Sequence, residues 1–276
     1  MRDFCMKSST GPAILLLHGL TGAPAEMHPI GKMLHRAGCT VKAPLLAGHG
    51  GSRKALLSAG WRDWLASAEQ AYDDLARDHE RVHVGGICLG AMLAVALAAR
   101  RPVAGIAAYG TTFRYDGWSM PRIASHRLLM MVAAGLPGIR RIGVPEREPY
   151  GLKDEKMRAL VMRAQQEANG GKVDTFPLGA IRQLYRLADH VDKIAPQVDA
   201  PTLIVHARED DTSSIANAYR LRDRLNGETR LELLDDSYHL VHLDRQMDQV
   251  AGMTAEFFGL SGASRSSRAQ AVMATV

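Results

Sequence analysis

The stretch Gly86-Ile87-Cys88-Leu89-Gly90 sets a thiol between two glycines, one two residues before it and one two residues after. A turn so sharp that side chains at those two places would collide needs glycine at both, and its tip residue then projects clear of the backbone. An apolar run precedes the stretch and another follows it, as a strand–turn–helix would require. At a helix N-terminus a cysteine is favoured as thiolate, the form that attacks. The chemistry this suits is attack on an acyl carbon with a thioester intermediate. The competing reading is a tight turn around a small buried cysteine.

Three further segments supply what such chemistry needs. His18-Gly19-Leu20-Thr21-Gly22 directly follows the run Ala-Ile-Leu-Leu-Leu at 13–17. A glycine-rich loop beside the turn can aim a backbone N–H at a developing oxyanion, here that of Leu20 paired with that of Leu89. The run at 202–207 ends in a loop with Asp210 and Asp211, and the run at 229–234 is followed by His239 and His242. Nucleophile, acid and histidine therefore occur in the chain order of one known type of triad. At this level either aspartate and either histidine can serve.

The elements that must position these groups alternate along the chain. Strands are expected at 13–17, 39–44, 81–85, 103–109, 202–207 and 229–234, all short and apolar enough to be covered on both faces. Helices are expected at 25–37, 61–78, 89–100, 213–226 and 244–258. Residues 61–78 carry Trp61, Trp64, Leu65, Ala68, Tyr72 and Leu75 on one stripe. Alternation of this kind predicts an α/β fold with a mostly parallel, doubly wound sheet. Residues 111–197 break the rhythm with prolines such as Pro121, Pro137, Pro145, Pro149 and Pro177 and with helical pieces at 122–134, 154–168 and 178–188. They read as an inserted helical cap on a core made of 1–110 and 198–260. The last residues, 261–276, are small and polar enough for a disordered tail.

With 276 residues the chain can bury a large core, and its 46% apolar and 23% charged residues are ordinary for a globular protein. The net charge of +5 comes from scattered Lys and Arg without interleaved aromatics, which argues against a nucleic-acid partner. Three widely spaced cysteines argue for a reducing compartment rather than a disulfide framework. No run of about 18 apolar residues suggests a membrane span and no signal-like h-region is present, so a cytoplasmic protein without stable membrane insertion is expected. Neither a cofactor nor a metal is expected.

On "LLLHGLTGAPAEM", "APLLAGHGGS", "GGICLGAM" and "APTLIVHAREDD…DDSYHLVHLD", the sequence resembles the α/β-hydrolase superfamily. Within it, the likeness is to small bacterial carboxylesterases and monoacylglycerol lipases. It covers about residues 13–110 and 198–258. The resemblance implies an α/β-hydrolase fold, with Asp210 of the A-R-x-D loop as the acid and His239 of the S-x-H turn as the base. Asp211 and His242 become second choices. His49, in the G-H-G-x-S loop, is structural in that family and receives no catalytic role. Two departures stand out. Tyr238 replaces the usual glycine before the histidine and is expected to crowd or line the site, and Cys88 replaces the usual serine.

Cysteine at this position resembles dienelactone hydrolases and polyhydroxyalkanoate synthases. The implied function is hydrolysis of small-molecule esters or thioesters by a Cys88–His239–Asp210 triad. Acyl transfer from the same acyl-cysteine is the alternative, and a non-catalytic binding protein a further one. Leu128, Leu129, Met130, Met131, Val132, Leu136 and Ile139 are expected to roof an apolar acyl pocket.

Overall fold

Strand β2 (Ala13–Leu17) is buried at every position and lies near the middle of a seven-stranded sheet. The other strands of that sheet are β1 (Phe4–Met6), β3 (Thr40–Ala43), β4 (Val82–Ile87), β5 (Ile106–Tyr109), β8 (Thr202–Ala207) and β9 (Thr229–Leu234). Their order is β1-β3-β2-β4-β5-β8-β9. All neighbours pair in parallel except β1, which runs antiparallel to β3 at the edge. The computed structural model describes residues 3–9, 11–121, 127–136, 138–168 and 175–260. The expected tail at 261–276 lies outside them.

Strands this apolar need cover on both faces, and helices supply it. On one face, helices Trp61–Ala76, Leu89–Ala98 and Leu178–Ile194 form a cluster with Trp64, Leu93 and Tyr185 at its centre. On the other, His28–Arg36 and Met247–Phe257 pack with Ile30, Val250 and Phe258. Each large apolar side chain so buried contributes roughly 1.5–3 kcal/mol. Helix Leu89–Ala98 is buried all round except at its last residue, because it lies between the sheet and its neighbouring helices.

The alternation expected from sequence is present, with ends trimmed by a few residues. β5 starts at Ile106 because a turn closed by Val103 N–H on Arg101 O occupies the residues before it. Three elements escaped the sequence reading. β1 is too short for a pattern. Helix Arg53–Ser58 is one and a half turns, held at its start by Ser52 Oγ accepting from Ala55 N–H. A hairpin of β6 (Gly143–Pro145) and β7 (Thr175–Pro177) lies within the block between β5 and β8. That block also carries helices Arg127–Ala133, Glu155–Ala168 and Leu178–Ile194, the last of which packs on Leu89–Ala98.

Candidate active site

The turn after β4 has the geometry its glycines imply. Cys88 stands at φ 55°, ψ −109°, a left-handed conformation that costs a non-glycine residue about 1–3 kcal/mol. A Cβ on Gly86 would come within 2.4 Å of the Gly90 carbonyl carbon, and one on Gly90 within 2.0 Å of Leu17 O. Gly90→Ala should therefore destabilise the protein by about 3 kcal/mol or more, read as a fall in the urea midpoint with an unchanged m-value.

Cys88 N–H is tied to Tyr109 O at 3.0 Å, which fixes the turn against β5. Leu89 opens the following helix, so its N–H has no partner within that helix and remains available beside the thiol.

Cys88 and His239 line one cavity. His239 Nδ1 and Asp210 Oδ2 are 2.8 Å apart, and Asp210 Oδ1 accepts the N–H groups of Thr212 at 2.8 Å and Ser213 at 2.7 Å. Burial alone would push His239 down, yet the charge and hydrogen bond of Asp210, with Cys88, raise it well above the usual histidine value. Burial likewise opposes ionisation of Asp210, and His239 with the loop donors more than offsets it, so Asp210 is held below the carboxylate range. His239 Nε2 is buried without a hydrogen-bond partner among the described residues. A second histidine, His206, sits 3.2 Å from the same Asp210 oxygen and bonds Ser213 O at 2.9 Å, so it braces the acid from behind.

Neither second choice from sequence bonds within the Asp210–His239 side-chain pair. Asp211 Oδ2 accepts Gly151 N–H at 3.0 Å and Oδ1 accepts His239 N–H at 3.3 Å, joining the β5–β8 block to the histidine loop. His242 is fully buried, does not line the cavity and is pushed down to about 3 by burial and the charge of His239. Asp244 accepts the N–H groups of Lys153 and Tyr238 on Oδ2, and those of Asp154 and Arg245 on Oδ1. Asp211→Ala strips two buried N–H groups of their acceptor, so stability should fall by about 1–3 kcal/mol, measured by denaturant unfolding.

The loop carrying Leu20 is braced one peptide at a time. Gly19 N–H donates to Glu26 Oε1 at 2.6 Å. Gly19 O accepts from His18 Nδ1 at 2.9 Å and from Gly22 N–H at 3.2 Å, fixing the peptide whose N–H belongs to Leu20. Leu20 O accepts from His49 Nε2 at 2.7 Å. His18 Nε2 in turn accepts Leu46 N–H at 3.2 Å, so one neutral tautomer satisfies both of its bonds. Burial and the nearby His49 keep it neutral, down to about 3. His49, assigned no catalytic role from sequence, thus anchors this loop.

Two expectations about the pocket need correction. Leu128, Val132 and Leu136 are exposed to solvent, and Met131 and Ile139 pack against the core. None of them lines the cavity, because helix Arg127–Ala133 lies on helix Leu178–Ile194, a layer away. The side chains of Leu129 and Met130 fall outside the described residues. The wall comes instead from Met120, Pro121, Pro145, Val161 and Phe176, with Glu146 and Arg147 as polar members. Tyr238 neither crowds nor lines the cavity. It packs edge-on to Trp118 at 5.5 Å, with Lys153 Nζ above its ring.

Sequence reasoning also missed Glu26 and Tyr115, both on the cavity wall. The signal for Glu26 was an acidic residue inside an otherwise apolar turn; Tyr115 gave none. Among the described residues no cluster of His, Cys, Asp or Glu is placed to hold a metal ion, and no helix is long and apolar enough to cross a membrane.

A family model described as "Serine aminopeptidase, S33" (Hydrolase_4) matches residues 9–246. The chain is 28% identical over 255 residues to a thermostable monoacylglycerol lipase of Bacillus sp. (strain H-257), covering 91% of this chain and 92% of that one. It is 24% identical over 250 residues to a carboxylesterase of Bacillus subtilis (strain 168), covering 89% and 91%. The monoacylglycerol lipase structure of Paleococcus ferrophilus superposes with a TM-score of 0.74 at 18% identity, over 95% of this chain and all of that one. A seven-stranded α/β sheet, a strained elbow at Cys88 and a family match across most of the chain lead to one assignment: this protein belongs to the Hydrolase_4 (serine aminopeptidase S33) family of α/β-hydrolases.

Proposed function

We propose that this protein hydrolyses carboxylic esters of apolar acyl groups through a Cys88–His239–Asp210 triad and a thioester acyl-enzyme. The observation that carries the reading is the left-handed Cys88 at the elbow tip, sharing one cavity with a His239 that is bonded to buried Asp210. Likeness to a monoacylglycerol lipase and a carboxylesterase favours esters over peptides. The apolar wall of Met120, Val161, Phe176 and Leu240 suits an acyl chain, with Glu146 and Arg147 nearer a polar leaving group.

In the first half-reaction the Cys88 thiol gives its proton to His239 Nε2 and the sulfur attacks the acyl carbon. The N–H groups of Leu20 and Leu89 receive the oxyanion, the C–O bond to the leaving alcohol breaks, and His239 supplies that alcohol's proton. In the second, His239 takes a proton from water, the resulting hydroxide adds to the thioester carbon, and the C–S bond breaks to restore Cys88. Asp210 holds the imidazole tautomer and stabilises its charged form throughout. Thioesters react by the same steps. A reducing cytoplasm, where a free thiol persists, fits this chemistry.

Intact-protein mass spectrometry after incubation with medium-chain acyl esters and thioesters tests the reading. The expected result is an acyl adduct on Cys88 that water clears. Clearance only when an alcohol, amine or thiol acceptor is added would favour an acyltransferase, and no adduct with any acyl donor would favour a binding protein. Cys88→Ser discriminates further. In a site shaped for sulfur, the serine should turn over much more slowly than the parent, because a hydroxyl depends wholly on His239 for activation. A faster serine variant would indicate a scaffold tuned for serine.

A further inference from the structure

Glu26 is a carboxyl in a place where negative charge is costly. It lies on the short turn Pro24–Met27, half-buried in the wall of the cavity that holds Leu20, Cys88 and His239. Its Oε1 accepts Gly19 N–H at 2.6 Å, one residue before the Leu20 N–H. The carboxyl packs so closely on Gly22 that a Cβ there would come within 2.2 Å of Oε2. A side chain at that position would push the carboxyl out of its place against the loop.

The charged and titratable groups around this carboxyl come from every element that shares the cavity or borders it. Cys88 lies on the elbow, Asp211 follows β8, and His239 and His242 follow β9. Glu146, which accepts from Thr21 Oγ1 at 3.2 Å, and the exposed Arg147 come from the β5–β8 block. Burial pushes Glu26 up to about 7, against the opposing pull of the Gly19 and Ala23 backbone bonds and the charge of His239.

We propose that Glu26 is a positioning residue that braces the oxyanion loop in its protonated form, and that its ionisation slows turnover. As a neutral acid it keeps the Gly19 bond and adds no charge to the cavity. As a carboxylate it opposes the negative charge that develops on the oxyanion. It also attracts the His239 imidazolium and so makes that group a poorer proton donor to the leaving alcohol. The slowing of turnover rests on the ester-hydrolase reading above.

Two measurements on the full chain test this. Glu26→Gln keeps an Oε1 acceptor for Gly19 and is neutral at every pH. The ratio of kcat/KM at about pH 6 to that at about pH 9 should be about tenfold larger in the parent than in Glu26→Gln. Taking the ratio within each variant cancels pH-independent differences in active fraction, circular dichroism at both pH values checks that each variant stays folded, and equal ratios would overturn the gating role. Glu26→Ala, which removes the brace, should lose about tenfold or more at both pH values.

Melting temperature gives a readout independent of turnover. The folded-state value is raised, so the folded protein holds this proton longer than the unfolded chain does. The parent should therefore lose stability relative to Glu26→Gln as pH rises from about 5 to about 8. Parallel melting curves alongside an intact acyl adduct on Cys88 would overturn Glu26's protonation alone. A missing adduct with the melting difference preserved would overturn the hydrolytic reading, and the slowing of turnover with it, while Glu26's protonation stands.

Discussion

Cys88→Ala should cut ester turnover by about 10⁵-fold or more while leaving the fold intact, because members of a catalytic triad act as a unit. The thiol supplies the atom that attacks the ester in the proposed sequence, so no acyl-enzyme forms when it is gone. Its side chain stands at the cavity wall rather than within the densest packing, so the structural cost of trimming it is small. Steady-state kinetics on a medium-chain ester, with circular dichroism and thermal melting beside them, make the comparison. Cys39→Ala serves as the control. That thiol is buried away from the cavity and pushed up to about 12 by burial, so its removal should leave turnover near that of the parent. Full activity in Cys88→Ala would overturn the nucleophile assignment.

Asp210→Asn should lower kcat by about 10³–10⁴-fold with a small change in KM. The carboxylate fixes the His239 tautomer through a 2.8 Å contact and stabilises the imidazolium. An amide of the same shape can do the first only in one orientation and cannot do the second. The direction of the pH response follows from the pair. The His239 value is raised, so its share of stability is complete below the ordinary histidine range and fades as pH rises through the folded value. The Asp210 value is lowered, so its share is present above the ordinary carboxylate range and is lost as pH falls through the folded value. The difference in unfolding free energy between parent and Asp210→Asn should therefore peak between those limits. A flat difference from acid to alkaline pH would show that the charged pair does not form.

Much of the local geometry was legible in the chain because its constraints are local. The elbow is decided by contacts among residues 86, 88 and 90 and the end of the strand beside them, so two glycines around a cysteine sufficed to anticipate a sharp turn there; the left-handed backbone of Cys88 is what the structure adds. Strand–helix alternation anticipated a parallel sheet, since strands apolar at every position need cover on both faces. In such a sheet the loops at the carboxyl ends of the strands meet on one edge. That places the loops carrying His18, Cys88, Asp210 with Asp211, and His239 with His242 on a common rim; the choice within each pair came from the resemblance.

What lines and braces that rim was decided only by packing. Asp210 and Asp211 are neighbours in sequence, and so nearly are His239 and His242, yet Asp210 bonds the His239 ring while Asp211 holds backbone N–H groups and His242 is buried out of the cavity. Side-chain direction after a turn depends on what the turn packs against, and no local pattern encodes it. The block between β5 and β8 shows the same limit. Leu128, Val132 and Leu136 have the composition of an acyl-pocket roof, but their helix lies against Leu178–Ile194, so Met120, Val161 and Phe176 reach the cavity instead. Glu26 is the sharpest case. Its carboxyl acquires a role only because the turn Pro24–Met27 folds it back onto Gly19 and Gly22, where burial from water, a property of the whole tertiary structure, sets its charge.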